Sequence, residues 1–241
     1  MDWRLNDTDL GDPYFVTAAD EAISILRKQN RISDTLHFYR RNKPTISVGR
    51  SRKIEDDINL DMCKKNNVEI VRRSTGGGTI FTDEGCLIYS LIFDRSDYNI
   101  KSPNETFEKI CNCLISSLSK LNIKTVYKPP NDVMLDNKKI SGSAQILKDN
   151  IVMIHGTILF NSDIHLMNSV LKLNKPLKVT NILDEIKYKI QIKDIKFNLK
   201  KEFELLFDTE MKISNFSDQE ISLINSLLDE KYHKKSWNYV R

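Results

Sequence analysis

The sequence has no strong excess of charge of either sign and no apolar run of membrane-spanning length. Its 37 Lys and Arg residues stand against 33 Asp and Glu, a formal net charge of +4, which does not require nucleic acid as a partner. The longest apolar stretches, 87–93 and 151–160, are each interrupted by a polar residue and do not reach the roughly 20 residues of a membrane helix. The N-terminus is acidic and has neither the apolar segment of a signal peptide nor the arginines of a mitochondrial presequence. These absences predict a cytoplasmic protein.

Cysteine is scarce as well, with residues at positions 63, 86, 111 and 113. No two of them have the C-x-x-C spacing of zinc or redox sites, and no two histidines lie at ligand spacing. The spacing therefore disfavours a structural metal, and we expect four reduced thiols of the kind found in cytosolic proteins.

Linkers, repeats and low-complexity segments are also lacking, which favours a single compact domain over residues 1–241. The length lies between one and two typical domains, and the 40% of hydrophobic residues suffices for a core. This composition excludes a disordered polymer, a collagen and a small disulfide-stapled module.

The patterns that are present alternate between helical and extended. Helix starts, where a capping residue is followed by proline or an acidic residue, are predicted at 12–13, 102–105, 194 and 217–220. Strands are predicted at 36–39, 45–48, 68–73, 79–81, 87–93, 139–147 and 151–160. Residues 148–150 fit a hairpin turn between the last two strands. The pattern is mixed α and β.

Glycine is uncommon, with eight residues, yet three are consecutive at 76–78, directly after Arg72-Arg73-Ser74-Thr75. Residues without Cβ atoms allow positive φ angles and let backbone N–H groups approach a ligand. The two arginines supply forks that suit a phosphate or a carboxylate. The segment is neither a Walker A loop nor a G-x-G-x-x-G turn. It is therefore a candidate anion-binding loop, the alternative being a tight turn with two solvated arginines.

A second informative segment is 131–144. Its Asp136-Asn137 turn joins a strand that carries Asn131-Asp132 to one that carries Lys139, so a carboxylate and an ammonium lie on neighbouring strands. Small residues follow, and His155 lies on the return strand. Together with the glycine loop, this segment suits a nucleotide site in which Asp132 holds Mg²⁺. The alternatives are that the lysine is an ordinary edge-strand charge and that the histidine belongs to the core.

Taken together, these segments resemble those of lipoate–protein ligases. RRSTGGGTIFTDEG followed by CLIYS is similar to that family's Arg-Arg and triple-glycine signature, and NDVMLDNKKISGSAQ, IHGTILFN and VTNILDEI resemble its later blocks in the same order. SVGRSRKIEDDIN near the front and LLDEKYHKKSWNYVR at the end also match, so the resemblance covers residues 10–241. It implies an α+β fold, a mixed β-sheet flanked by helices, of the class II aminoacyl-tRNA synthetase/biotin-ligase-like type.

The resemblance implies a two-step reaction that uses ATP and Mg²⁺. The lipoate carboxylate attacks the α-phosphate of ATP to give lipoyl-AMP and pyrophosphate, and an acceptor lysine then attacks the mixed anhydride. The acceptor would be a lipoyl domain of a 2-oxoacid dehydrogenase complex or the glycine-cleavage H protein. No protein nucleophile is required, because the adenylate is itself the activated acyl donor.

The resemblance also implies residue roles. Lys139 would be catalytic and, with Arg73, would neutralise charge that develops on phosphate and carbonyl oxygens. Asp132 would hold Mg²⁺. The implied substrate-binding residues are Arg73, Thr75, Gly76, Gly77, Gly78, Ala144 and His155. The implied nucleotide-binding residues are Arg73, Thr79, Ile80, Asp83, Cys86, Asn131 and Lys139.

The chain departs from the family pattern at three positions: Thr82 stands where the family has His, Cys86 where it has Asn, and Arg52 where Gln is usual. Thr82 and Cys86 leave open a lipoyltransferase that accepts only preformed lipoyl-AMP. Related octanoyltransferases use a cysteine nucleophile upstream of the lysine segment and commonly carry Gly-Gly-Arg where this chain has Gly76-Gly77-Gly78. This chain has no Cys between Cys113 and the C-terminus, and both differences argue against a transferase with a covalent acyl-enzyme. Cys86 as a nucleophile, and a non-catalytic lipoate-binding protein, are further alternatives.

The family resemblance also bears on the domain organisation. Well-studied ligases of this family carry a small C-terminal domain beyond the block that residues 227–241 resemble, and the sequence ends at Arg241. Some archaeal members have that domain as a separate polypeptide. We therefore expect the accessory domain to be absent from the chain and a small separate accessory subunit to take part in adenylation.

Overall fold

The structure is a computed structural model that describes residues 2–172 and 177–240. Its helices are α1 Pro13–Lys28, α2 Ile54–Asp57, α3 Leu60–Lys65, α4 Pro103–Ser119, α5 Ile164–Val170, α6 Ile182–Glu185, α7 Ile192–Phe207, α8 Asp218–Leu227 and α9 Lys235–Asn238. Its strands are β1 Trp3–Gly11, β2 Asp34–Arg41, β3 Thr45–Val48, β4 Glu69–Arg72, β5 Ile80–Thr82, β6 Cys86–Asp94, β7 Val126–Lys128, β8 Asp132–Leu135, β9 Lys138–Lys148, β10 Ile151–Leu159 and β11 Met211–Ile213. No helix within these two ranges is long and apolar enough to cross a membrane.

Most strands of the described residues belong to one mixed sheet with the order β11-β1-β2-β6-β10-β9-β8-β7, and β4-β3-β5 form a smaller sheet. β1 runs parallel to β2 and β11, whereas the pairs from β2 across to β7 are antiparallel. The turn residues Asp136, Asn137 and Asp149 have φ angles of 46°, 61° and 56°. Two-residue hairpin turns require such left-handed values, which Asn and Asp tolerate. Both predicted hairpins are confirmed.

The large sheet buries apolar side chains on both faces, and different elements cover each face. On one face Tyr89 of β6 packs with Ile110 of α4 and Phe203 of α7. On the other face Ile88, the neighbouring residue of β6, packs with Val16 of α1 and with β5 of the small sheet. Successive residues of a strand point to opposite faces, so β6 contributes to both layers. The implied α+β fold, a mixed sheet flanked by helices, is confirmed.

The predicted helix starts are found, with one correction. The side chains of Asp12, Ser102 and Ser217 each accept a hydrogen bond from a backbone N–H of the first turn. The prediction that Asp194 is an N-cap is wrong, because Gln191 occupies that position. The Asp194 carboxylate instead accepts from the backbone N–H of Gln191 at 2.8 Å, which is the reciprocal contact of a capping box.

Candidate functional site

A cavity of about 310 Å³ is lined by residues of both sheets. Its floor follows Tyr39, Ile88, Thr157 and Gly142, which are successive register partners on β2, β6, β10 and β9. Neighbouring strands lie about 4.8 Å apart, so this row spans about 14 Å. The alternation of side chains along each strand therefore brings residues from four distant segments onto one surface.

The more exposed end of the cavity, which we refer to as the mouth, is lined by Lys139 and Asn131, with Asp132 beside them. The ammonium of Lys139 lies 2.6 Å from a carboxylate oxygen of Asp132, and the two side chains are 37% and 22% exposed. Gly142 lies beneath this pair, since an added Cβ there would lie 2.4 Å from Lys139 Nζ. The carboxylate and the ammonium thus meet on neighbouring strands, as the hairpin in the sequence implies, and the glycine provides the space for them.

Arg73 organises the glycine loop from inside. Its Nη2 donates to the carbonyl oxygens of Gly76 and Gly78, both at 2.7 Å, and its Nε donates to Thr75 Oγ1 at 3.1 Å. The residue is 5% exposed, and burial lowers the pKa of its guanidinium to about 10. Gly77 has a φ of +88°, a value that favours glycine. The loop is therefore shaped around a buried cation.

Arg72 points away from this loop and is 1% exposed. Its guanidinium donates to the carbonyl oxygens of Gly49 and Arg52 at 3.0 and 2.7 Å, and to those of Trp237 and Val240 at 3.1 and 3.0 Å. This side chain joins the C-terminal segment to the loop after β3. The alternative that both arginines are solvated is wrong.

Thr75 and His155 connect the glycine loop to the floor of the cavity. Thr75 is fully buried, and its Oγ1 lies 2.9 Å from His155 Nε2. Nδ1 of the same imidazole lies 3.7 Å from the Asp20 carboxylate, and burial lowers the pKa of His155. His155 is therefore a buried part of the cavity wall.

The end of the cavity opposite the mouth is its inner end, formed by Thr17, Asp20, Tyr39 and Arg41. The Asp20 carboxylate accepts from His37 Nδ1 at 2.9 Å and from the Tyr39 hydroxyl at 3.1 Å. Burial alone would raise the pKa of Asp20, but hydrogen bonds and charge from His155 and His37 lower it to about 2. A carboxylate thus stays ionised deep in the protein.

Thr79 anchors the far side of the glycine loop to a second loop. Its hydroxyl donates to Asp57 Oδ2 at 2.5 Å, and Arg52 Nε donates to the same oxygen at 2.7 Å. The Arg52 side chain lowers the pKa of Asp57. Arg52, one of the departures from the family pattern, therefore holds the carboxylate that positions Thr79.

The structure brings most of the sequence-predicted residues to the cavity wall: Arg73, Gly77, Gly78, Thr79, Ile80, Asn131, Lys139, Ala144 and His155. Three others lie directly behind or beside this wall, with Thr75 and Gly76 bonded to Arg73 and Asp132 paired with Lys139. Their roles in binding and catalysis stay predictions.

Asp83 and Cys86 are placed elsewhere. Asp83 accepts from the backbone N–H groups of Gly85 and Asp163 at 3.0 and 2.7 Å, so it caps two loops. Cys86 is fully buried, and burial raises the pKa of its thiol to about 12. Neither side chain lines the cavity, so the nucleotide contacts predicted for them have no support from the geometry.

The inner-end residues were missed by the sequence analysis. Thr17 and Asp20 are three positions apart on α1, where they interrupt an alanine-rich apolar stripe. Polar residues at one helical face that is otherwise apolar are a signal for a buried polar site. No comparable local signal marks Arg41 in the sequence.

Comparison with known proteins identifies the family. The model of the lipoyl protein ligase A/B catalytic domain matches residues 12–204. The chain belongs to this family. It is 26% identical over 248 residues to lipoate–protein ligase 1 of Staphylococcus aureus, covering 98% of this chain and 73% of the relative. It is 28% identical over 270 residues to octanoyltransferase LipM of Clostridioides difficile, covering 99% of both. The family relatives thus include ligases and transferases.

Solved structures of the family share the whole fold. A bi-partite lipoate protein ligase of Thermoplasma acidophilum, studied with its E2 lipoyl domain, has a TM-score of 0.87 at 25% identity and covers 100% of this chain and 98% of its own. A lipoate–protein ligase A bound with ATP has a TM-score of 0.87 at 26% identity, covering 99% of each chain. A third structure, from T. acidophilum with bound lipoic acid, has a TM-score of 0.86 at 25% identity and covers both chains completely.

Biotin protein ligases share the fold at greater distance. The enzyme of Aquifex aeolicus has a TM-score of 0.51 at 15% identity, covering 86% of this chain and 69% of its own. At that identity the likeness is one of fold alone. The biotin-ligase-like architecture implied by the resemblance is confirmed.

Proposed function

We propose that this chain is an ATP-dependent lipoate–protein ligase. In the first step a carboxylate oxygen of lipoate attacks the α-phosphorus of ATP, forming lipoyl-AMP while pyrophosphate leaves. In the second step the amine of an acceptor lysine attacks the carbonyl carbon of lipoyl-AMP, AMP leaves and an amide remains. Similarity to ligase 1 of S. aureus and to a ligase bound with ATP supports this assignment.

The observation that carries a ligase over a thiol-dependent transferase is the burial of every cysteine. Cys63, Cys86, Cys111 and Cys113, all within the described residues, are buried, and none of them lines the cavity. Burial raises the thiol pKa to about 11 for Cys63 and about 12 for the others. A thiolate nucleophile needs a partly exposed, electropositive environment. An acyl thioester therefore has no candidate residue, whereas an adenylate needs none.

Two cations near the mouth suit the chemistry of adenylation. Lys139 lies at the mouth itself. An added Cβ at Gly77 would lie 2.9 Å from Arg73 Nη2 and 3.2 Å from Ala144 Cβ, which places the guanidinium over β9. Negative charge that develops on the α-phosphate and the attacking carboxylate would lie near both groups, and preorganised cations stabilise such charge strongly. Lys139 is accordingly the proposed catalytic residue.

The mouth also fits a magnesium ion bound together with ATP. Mg²⁺ in such sites is held by one or two carboxylates and by substrate phosphates, and Asp132 offers a partly exposed carboxylate next to Asn131. The described residues contain no group of three or more His, Cys, Asp or Glu side chains that would hold a metal ion by themselves. Asp132 would therefore hold the ion with the phosphates, where the metal would neutralise phosphate charge.

The acyl chain would occupy the middle of the cavity. Apolar side chains line this part, among them Ile88, Met153, Leu159 and Met167. Burial of each methylene of an acyl chain contributes about 0.8 kcal/mol. The triple-glycine loop would cover the acyl chain. Thr79 and Ile80, which follow the loop, would lead toward the nucleotide.

We propose further that the acceptors are lipoyl domains of 2-oxoacid dehydrogenase complexes or the glycine-cleavage H protein. A separate small accessory subunit would assist adenylation. The match to a bi-partite ligase studied with an E2 lipoyl domain supports both proposals. The four free thiols agree with a reducing compartment such as the cytoplasm.

The decisive test incubates the chain with lipoate, ATP, Mg²⁺ and an apo lipoyl domain, with and without a candidate accessory protein. Mass spectrometry should find one lipoyl group on the domain, and its formation should require ATP. Lys139→Ala should lower the rate at least ~100-fold, whereas Lys138→Ala, a neighbouring surface lysine paired with Glu185, should leave it unchanged. Absence of both lipoylated domain and lipoyl-AMP under every combination would contradict the proposal.

A second candidate is a transferase that takes a preformed activated acyl group. The 28% identity to octanoyltransferase LipM over nearly the whole chain favours it, as do Thr82 and Cys86 in the signature. Such an enzyme would lipoylate the acceptor from lipoyl-AMP but not from lipoate and ATP, even with the accessory protein present. Supplying both donors in parallel assays therefore separates the two functions.

A further inference from the structure

We propose that the inner end of the cavity is a polar subsite, built around Arg41, that recognises a hydrogen-bond acceptor at the far end of the acyl chain. The inference rests on the proposed function, because it names the class of acyl substrate that the same cavity takes. It predicts that the protein selects acids with a polar terminus over acids that end in a methyl group.

Arg41 lies where the far end of the chain would reach. The reacting carboxylate belongs near Lys139 on β9, and the cavity continues from there across β10 and β6 to β2. Arg41 is the last residue of β2, lines the cavity and is only 2% exposed. An acyl chain whose carboxylate lies near Lys139 would therefore place its terminal atoms at Arg41. Arg41 lies about 14 Å from the β9 strand.

The guanidinium of Arg41 is incompletely paired. Its Nη1 donates to Thr82 Oγ1 at 2.7 Å and its Nη2 to Thr17 Oγ1 at 3.0 Å, so its partners are hydroxyls rather than a carboxylate. Its Nε is buried and has no hydrogen-bond partner. A buried donor without an acceptor is unfavourable, and a buried cationic donor more so. The site therefore has an open donor that a ligand acceptor would satisfy.

Neighbouring groups restrict what can satisfy this donor. The Asp20 carboxylate is already bonded to His37 and Tyr39, so it does not supply the missing acceptor. His155 Nδ1, on the same cavity wall, is also buried and has only the Asp20 carboxylate near it, at 3.7 Å. The cavity thus combines an apolar middle with an inner end that holds unmatched polar nitrogen atoms.

This arrangement distinguishes acids by the chemistry of their terminal atoms. A methyl terminus, as in octanoate, would leave Arg41 Nε unpaired. Sulfur atoms of a dithiolane are weak acceptors, and a hydroxyl oxygen is a stronger one. Sites built to hydrogen-bond a substrate group reject analogues that lack the group, because their own polar atoms are left unpaired.

Calorimetric binding of lipoate, octanoate and 8-hydroxyoctanoate to the full chain, without ATP or acceptor, tests the inference. We expect 8-hydroxyoctanoate to bind about ten-fold more tightly than octanoate, and lipoate to gain less because its sulfur atoms are weak acceptors. Arg41→Met should abolish that preference while retaining octanoate binding. Arg40→Met is the matched control, because Arg40 neighbours it on β2 but points to Asp9 and the Glu84 carbonyl, and the preference should survive there.

The outcomes separate this inference from the function on which it rests. Equal affinity of the parent for octanoate and 8-hydroxyoctanoate overturns the subsite, even if Arg41→Met fails to fold, since that comparison needs no variant. A preference that persists in a folded Arg41→Met also overturns it. Failure of all three acids to bind contradicts the proposed function itself, whereas binding of all three with equal affinity leaves that function standing.

Discussion

The mouth and the inner end of the cavity each hold a carboxylate and a cation, but the two regions balance these charges differently. At the mouth, Lys139 and Asp132 pair directly at 2.6 Å and remain partly exposed. At the inner end, Asp20 is 4% exposed and relies on buried neighbours, while Arg41 donates to hydroxyls. Partly solvated ion pairs exchange partners at little cost, whereas buried polar groups depend on every partner they have. This difference agrees with the proposed roles, which are chemistry at the mouth and recognition at the inner end.

The largest loss of stability is expected from a substitution at Asp20, at the inner end of the cavity. Asp20→Ala removes the acceptor for His37 Nδ1–H and the Tyr39 hydroxyl, both of which are buried. Leaving two buried donors unpaired should lower the free energy of unfolding by about 3 kcal/mol. Urea denaturation measures this free energy of unfolding. Asp56→Ala, which removes an exposed carboxylate on α2, is the control. A loss no greater than in the control would show that the inner end is not held by this carboxylate.

The pH dependence of stability should also show that the inner end depends on the ionised Asp20 carboxylate. The pKa of Asp20 is about 2 in the folded chain against an ordinary 3.8. A depressed carboxyl pKa adds stability that is fully present above pH 3.8 and is lost as the pH falls through about 2. The parent should therefore lose about 2 kcal/mol more than Asp20→Asn over this interval. Unfolding curves at several pH values measure the difference, and parallel losses in both proteins would contradict the assignment.

The two ends also differ in how far the sequence predicts them. The mouth lies within one hairpin, where the Asp136-Asn137 turn fixes which residues face each other. Asp132 and Lys139 are seven positions apart, and local turn chemistry suffices to place them on neighbouring strands. The capping signals at Asp12 and Ser217 were predictable for the same reason, since each depends on contacts within one helical turn.

The inner end depends instead on contacts between distant segments. Asp20 and His37 are 17 positions apart, and Arg41 reaches Thr82 across 41 positions. The first pair forms when α1 packs on β2, and the second forms when β5 of the small sheet packs against β2. No local periodicity in the sequence predicts either contact. The same limit explains Cys86: the signature places it near the nucleotide, but packing between distant segments buries it in a core cluster with Ile46 and Val48, away from the cavity wall.

At the mouth, an added methyl group at Gly142 should have a smaller effect on stability but a clear effect on activity. Gly142→Ala would place a Cβ 2.4 Å from Lys139 Nζ, so the flexible end of the lysine must move. Because only a side-chain terminus shifts, the free energy of unfolding should change by less than about 1 kcal/mol. A displaced catalytic group should lower the rate of lipoylation about ten-fold.

The rate of lipoylation and the stability must be measured on the same Gly142→Ala preparation, because the prediction is that the first falls while the second does not. A fall in rate at an unchanged urea midpoint supports the view that the glycine serves the position of Lys139. An unchanged rate would contradict the view that Gly142 serves the position of the Lys139 ammonium.

The smallest effect is expected for Asp132→Asn. Its ion pair with Lys139 is partly exposed, and pairs of this kind contribute about 0.5 kcal/mol or less to folding. Unfolding stability should therefore barely change, in contrast to the loss expected for Asp20→Ala. If Asp132 holds Mg²⁺ with the phosphates of ATP, the variant should instead need a higher Mg²⁺ concentration for half-maximal adenylation. Measuring that concentration beside the urea midpoint separates the two roles, because a carboxylate that served only to neutralise Lys139 would leave the magnesium dependence unaltered.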